Sequence, residues 1–226
     1  MQMPHPLLLG HRGAPRQAPE NTLESYRLAL QAGLDGLEFD VQRTRDGVLA
    51  IHHDFDLEGQ PIAELSWAEL RASAPEIPRL EEVLALTQEF PGVWLNLELK
   101  SQPPDSDGRE AALAKLLQAQ PNLERLWISS FDPLALIRLK HLGVTVPLAL
   151  LAYQQEMLEL LPCLPVQGVH PHHSLLNEAN VSEFKAKGWF VGTWTINDPA
   201  LAQTLLRWGV DVLIGDFPER LLQTRS

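Results

Sequence analysis

The run Gly36-Leu37-Glu38-Phe39-Asp40-Val41 places two carboxylates two residues apart inside an otherwise apolar, strand-like stretch. Residues two apart in a strand project to the same face, so Glu38 and Asp40 point together. The same spacing recurs at Glu98-x-Lys100, which closes the apolar run 93–99, and Ile51-His52-His53-Asp54 ends the run 48–51. Working outward, His11-Arg12-Gly13 directly follows Leu7-Leu8-Leu9 and adds an imidazole and a guanidinium. Three carboxylates, two or three histidines and two cations at strand ends are costly to bury unless a hard metal ion and an anion sit among them. That is the equipment of a phosphoester hydrolase.

Around these motifs the chain alternates between two periodicities. Strand-like runs fall near 7–11, 36–42, 93–99, 125–130, 146–151, 167–170, 189–195 and 211–215. Helical spacing is read over 22–32, 80–90, 108–118, 133–141, 177–187, 199–208 and 218–224. Leu23, Tyr26 and Leu30 form an apolar stripe, with Asn21 or Thr22 as the cap and Gly33 just past the end. Eight strands interleaved with helices predict an α/β fold, a single-domain (β/α)8 TIM barrel over 1–226, in preference to an open doubly wound sheet. Residues 44–78 break the rhythm. A hairpin signal at Arg45-Asp46-Gly47, then Gly59, Pro61, Pro75 and Pro78, predict a small excursion between the second and third barrel strands. In such barrels functional residues collect at the carboxyl ends of strands, where His11, Asp40, Lys100, Trp194 and Asp216 all fall.

Composition narrows the partners. The net charge of −11 argues against duplex nucleic acid or an anionic membrane, yet permits a small phosphate ester held by a few local cations. A lone cysteine, Cys163, leaves no disulfide framework, and residues 1–9 lack the length and basic flank of a signal peptide. No stretch approaches the roughly 18 apolar residues of a membrane span. The expectation is a cytoplasmic protein without stable membrane association.

The motifs also occur in a telling order: Gly10-His11-Arg12-Gly13, Pro19-Glu20-Asn21-Thr22, Gly36 to Val41, Asp46-Gly47, His53-Asp54, Leu97-Glu98-Leu99-Lys100, Thr193-Trp194-Thr195-Ile196-Asn197 and Gly215-Asp216-Phe217-Pro218. The ordered set resembles the glycerophosphodiester phosphodiesterase family over residues 7 to 222. The resemblance implies a TIM barrel, one divalent cation (Mg²⁺ or Ca²⁺), and hydrolysis of glycerophosphodiesters to an alcohol and glycerol 3-phosphate. It also implies His11 and His53 as the acid–base pair, Glu38, Asp40 and Glu98 as metal ligands, and Arg12 and Lys100 as phosphate contacts. The nucleophile it implies is either water or the glycerol 2-hydroxyl. Oxygen donors suit Mg²⁺ or Ca²⁺, and no zinc-spaced Cys or His cluster competes.

Several residues have two readings. His52 and His53 cannot share a face in a regular strand, and His53 carries the following Asp54, so His52 is read as outward-facing or structural. Glu20-Asn21-Thr22 serves equally as a helix cap or as support for the metal site. His170, His172 and His173 are read as loop decoration, with His170 the one nearest the barrel mouth. Phe131 and Trp194 are read as walls for glycerol or the alcohol. One departure concerns Phe55-Asp56-Leu57-Glu58-Gly59-Gln60, which is shorter than in many members and lacks their Arg-Thr-Thr-like motif. The alternatives are a lysophospholipase D-type phosphodiesterase and a non-catalytic, phosphodiester-binding barrel; a silent barrel is expected to have lost a metal or acid–base residue, and none is missing.

Overall fold

The computed structural model describes residues 3–120 and 123–225. Met1 and Gln2, part of the stretch weighed as a leader, lie outside the described residues, as do positions 121, 122 and 226 of the predicted domain span. Eight strands lie parallel: β1 (Leu7–His11), β2 (Gly36–Arg43), β3 (Trp94–Leu99), β4 (Leu126–Ser130), β5 (Leu148–Ala152), β6 (Gly168–Pro171), β7 (Phe190–Thr193) and β8 (Val212–Gly215). Each pairs with the next, and β1 also pairs with β8, with Gly10 opposite Gly215. That last pairing closes the sheet and removes the open, doubly wound alternative. The predicted strands stand, with ends moved by one or two residues.

Period-two alternation explains the two cores. Leu7 and Leu9 of β1 join Trp94, Trp127, Ala149, Phe190, Val212 and Ile214 inside the barrel. Leu8 faces the other way, into the layer between sheet and helices, with Leu37, Phe39, Leu97, Ile128, Leu150 and Val191. Helices Leu23–Gln31, Leu80–Thr87, Arg109–Gln118, Pro133–His141, Glu178–Ala186 and Pro199–Arg207 close that layer. Truncating a fully buried member such as Leu97 to Ala would cost roughly 2–5 kcal/mol. None of the described helices is long and apolar enough to cross a membrane.

The excursion lies where it was expected. Thr44 and Val48 close the hairpin, from which the antiparallel strand Leu49–Ile51 returns along the end of β2, with Ile51 opposite Val41. A two-residue ribbon, Asp56–Leu57 against Gln60–Pro61, turns at Glu58 and Gly59, both with positive φ. The helix Trp67–Ser73 is a local event, opened by a capping box between Ser66 and Glu69. Ala50, Ile62, Leu65, Leu70, Ala74 and Ile77 bury one another beneath the excursion, which seats the loop carrying His53.

Candidate active site at the barrel mouth

Strand ends bring the charged residues together. Glu38 and Asp40 leave the inner face of β2, and Glu98 leaves β3 directly beside Asp40 in register. All three are buried, and one carboxylate oxygen from each lies within 4.8 Å of the others. Among the described residues this is the one group of three or more metal-ligating side chains so placed. Burial first, then the charges of Asp40 and Glu98, drive the Glu38 carboxyl well above its usual range. Glu98 is pushed up to about 7 by burial and by Asp40, against the opposing pull of Lys100. Burial acts on Asp40 in the same direction, but Lys100, Arg12, His53 and Asn21 outweigh it and hold that carboxyl low. Three ionised carboxylates in this volume repel one another, and a hard cation would relieve them. The donor set, all oxygen, therefore fits Mg²⁺ or Ca²⁺.

Two cations adjoin the triad. Lys100 Nζ is 3.0 Å from Glu98 Oε1 and 3.6 Å from Asp40 Oδ1. Arg12 follows β1 in a left-handed conformation (φ 54°), its amide donating to the carbonyl and side chain of Glu38. Gly10 permits that turn, because a Cβ there would stand 2.3 Å from the Gly13 carbonyl oxygen. The Arg12 guanidinium donates to Glu20 at 2.8 Å. Its Nε lies 3.3 Å from Asp40 Oδ2 but is misaligned, leaving that buried N–H unpaired. The Glu20-Asn21-Thr22 stretch does both things weighed for it. Thr22 caps the first helix by accepting from the Ser25 amide, while Asn21 donates to Asp40 at 2.8 Å and accepts from the Tyr26 hydroxyl.

Both histidines are anchored through Nδ1. His11 Nδ1 is 2.7 Å from Asp216 Oδ1, leaving Nε2 toward the triad, 4.0 Å from Glu38 Oε2. His53 Nδ1 is 2.7 Å from Asp54 Oδ1, and burial lowers its pKa, with Lys100 adding to the effect and Asp40 opposing it. The reason His53 faces the site differs from the expected strand parity. The strand ends at Ile51, so loop backbone sets the direction, held by the Gln42 side-chain amide donating to the carbonyls of His52, His53 and Asp54.

A cavity of about 220 Å³ opens among these groups, lined by His11, Arg12, Glu38, His53, Glu98 and Lys100 on one side and Phe131, Leu151, Trp194 and Ile214 on the other. Every predicted site residue lines it except Asp40, which sits directly behind, paired to Arg12, Asn21 and Lys100. His52 does not line it. Asn96, overlooked in the sequence, forms part of the floor with an unpaired Oδ1; its period-two spacing from Glu98 was the available signal. Phe55 was overlooked too, its ring centroid 5.8 Å from Lys100 Nζ.

The expectation for His170 is corrected. It is fully buried inside the barrel, its ring 6.0 Å from Trp127 and 5.8 Å from Phe190, and no side chain bonds either ring nitrogen. It sits within β6, packed inward against Trp127 and Phe190, and does not line the cavity. Burial pushes its pKa down to about 3.

Fold and site together define a TIM-barrel enzyme of the phosphodiester-cleaving kind. The sequence profile of the "Glycerophosphoryl diester phosphodiesterase family" matches residues 11–220, and the chain belongs to that family. A glycerophosphodiester phosphodiesterase of Bacillus altitudinis is 30% identical over 97% of this chain and 98% of its own length. The structure of an Oleispira antarctica phosphodiesterase in complex with the product sn-glycerol-3-phosphate is similar at a TM-score of 0.84 and 32% identity, covering 98% of this chain and 97% of that one. The Thermotoga maritima glycerophosphodiester phosphodiesterase gives a TM-score of 0.79 at 26% identity, with 99% of each chain covered.

Proposed function

We propose that this enzyme hydrolyses glycerophosphodiesters to an alcohol and glycerol 3-phosphate, using one divalent cation on Glu38, Asp40 and Glu98 and the pair His11 and His53 for proton transfer. The observation that carries the reading is the cavity in which two anchored imidazoles, two cations and a crowded acidic triad face one another. The cation would draw charge from the phosphoryl oxygens and stabilise what develops there. Arg12 and Lys100, the two cations that line the cavity, would orient the phosphoryl group. With Nδ1 of each imidazole tied to a carboxylate, Nε2 of one would accept the proton of the attacking hydroxyl and Nε2 of the other would return one to the leaving alcohol oxygen. Asn96 and the aromatic side would bound the organic parts of the substrate.

The proposal extends to a single domain spanning 1–226 and to a cytoplasmic location, for which a free, exposed Cys163 suits a reducing compartment. The test is product analysis on purified protein with Mg²⁺ or Ca²⁺, using glycerophosphoethanolamine, a lysophospholipid and bis(4-nitrophenyl) phosphate. Release of glycerol 3-phosphate from the first, with little turnover of the others, is expected. Preferential cleavage of the lysophospholipid would replace this reading with the lysophospholipase D one.

A further inference from the structure

We propose that Gln42 is a positioning residue for proton transfer, its side-chain amide setting the direction of His53, an inference that rests on the acid–base reading of His11 and His53 above. Gln42 follows Glu38 and Asp40 on the same face of β2, one period-two step past the last carboxylate of that strand. It is buried, at 2% exposure. The carbonyls of three successive residues, His52, His53 and Asp54, converge on its Nε2, the first two at 3.0 and 3.4 Å. Carbonyl oxygens gathered this closely repel one another unless a donor sits between them. The two N–H groups of the amide therefore hold this turn of chain together.

The two histidines are supported differently. His11 ends a strand, and its partner Asp216 is itself tied to Asn197. His53 lies past the strand end at Ile51, and its partner Asp54 has a side chain that is 72% exposed and, among the described residues, bonds only His53. That pair fixes the ring relative to Asp54 but fixes neither relative to the barrel. Main-chain ties flank the turn: the His52 amide donates to the Asp40 carbonyl at 3.1 Å, and the Phe55 carbonyl accepts from the Ile62 amide at 2.9 Å. Between those ties, among the described residues, only Gln42 bonds the main chain of His53 and Asp54. Gln42 thus does for His53 what Asn197 and barrel closure do for His11. A misplacement of about 1 Å in a reacting group costs on the order of 10²-fold in rate, so the loss of this tie is felt at the chemical step.

The experiment is a double-mutant cycle on single-turnover rates with glycerophosphoethanolamine and Mg²⁺, comparing wild type, Gln42→Met, His53→Ala and the double variant. Gln42→Met keeps length and bulk but loses the donors; Gln42→Glu, which keeps the shape, serves as a second probe should Gln42→Met fail to fold. Each Gln42 variant should lower the rate by roughly 10- to 100-fold in the wild-type background. Adding either to His53→Ala should cost less than about twofold, because the side chain that Gln42 directs is gone. The Mg²⁺ concentration for half-activation should stay within about twofold of wild type, which separates this role from a disturbance passed to Asp40 two residues away. A wild-type rate in Gln42→Met, an equal loss in both backgrounds, or a loss cured by raising Mg²⁺ overturns the positioning role and leaves the acid–base pair standing. A wild-type rate in His53→Ala overturns both.

Discussion

His11 at the end of β1 and Asp216 just past β8 are joined Nδ1 to Oδ1 at 2.7 Å across the seam where the barrel closes. Asp216 is itself fixed, accepting from the Asn197 side-chain amide at 2.8 Å while its own amide donates to Asn197 Oδ1 at 2.9 Å. Burial would raise its carboxyl, but the hydrogen bonds from His11 and Asn197 hold it below the ordinary value, so it stays an acceptor. The His11 ring orientation thus depends on barrel closure. Asp216→Asn should keep the fold and lower kcat by roughly 10- to 100-fold, the usual effect of losing the group that orients a functional imidazole. Unchanged kcat with an intact circular dichroism spectrum would remove Asp216 from the account.

Proton transfer separates the neighbouring histidines. His11→Ala and His53→Ala should each lose on the order of 10² to 10⁴ in kcat. His52→Ala, at a residue that stays out of the cavity, should lose less than about tenfold. Single-turnover rates for the three variants decide it, and a crippled His52→Ala beside a healthy His53→Ala would reverse the assignment.

Phosphate orientation rests on the shape of Arg12 as well as its charge. Arg12→Lys keeps the charge but loses the planar fork that spans Glu20, Asp40 and the cavity, so kcat/KM should fall by about tenfold or more. Lys100→Ala should fall further, because it also removes the ion-pair partner of Glu98 and one of the groups that hold Asp40. Wild-type kcat/KM in both would assign them to structure alone.

Much of this was legible in the chain because period-two alternation puts Glu38 with Asp40 and Glu98 with Lys100 whatever surrounds them, and because caps and glycines punctuate the helices. The strand-end positions of His11, Trp194 and Asp216 followed from the same alternation. What escaped was set by tertiary contacts. His53 points inward through a loop pinned by Gln42, not through strand parity. Asp216 acquires its partner only when β8 meets β1, 205 residues away in sequence. His170 looked like a mouth residue because its neighbours His172 and His173 lie past the strand end, whereas depth along a strand decides between core and mouth.

Cation binding should also appear in stability. A ligand at about 100 times its Kd adds about 2.7 kcal/mol, enough to raise Tm by several degrees in a domain of this size. Differential scanning fluorimetry with EDTA, then with Mg²⁺ or Ca²⁺, should show that rise in wild type and little of it in Glu98→Gln. Equal shifts in both would move the site elsewhere.

Acid should find His170. In the folded protein burial holds its pKa near 3, while in the unfolded chain it returns to about 6.5, so between those values the unfolded state binds the extra proton. This residue therefore costs stability as pH falls below about 6.5, at a limiting slope of about 1.4 kcal/mol per unit, and costs nothing above it. Urea denaturation at pH 7 and pH 5 should show a smaller loss in His170→Leu than in wild type. Identical losses would mean His170 is protonated, or solvated, in the native state.

The most direct measurement is enzyme-coupled detection of glycerol 3-phosphate released from a glycerophosphodiester by the purified protein, before and after chelation and after Mg²⁺ or Ca²⁺ is returned. Release that stops with EDTA and resumes with the cation is the predicted result. Undiminished release in excess EDTA, with elemental analysis finding no bound metal, would contradict the account.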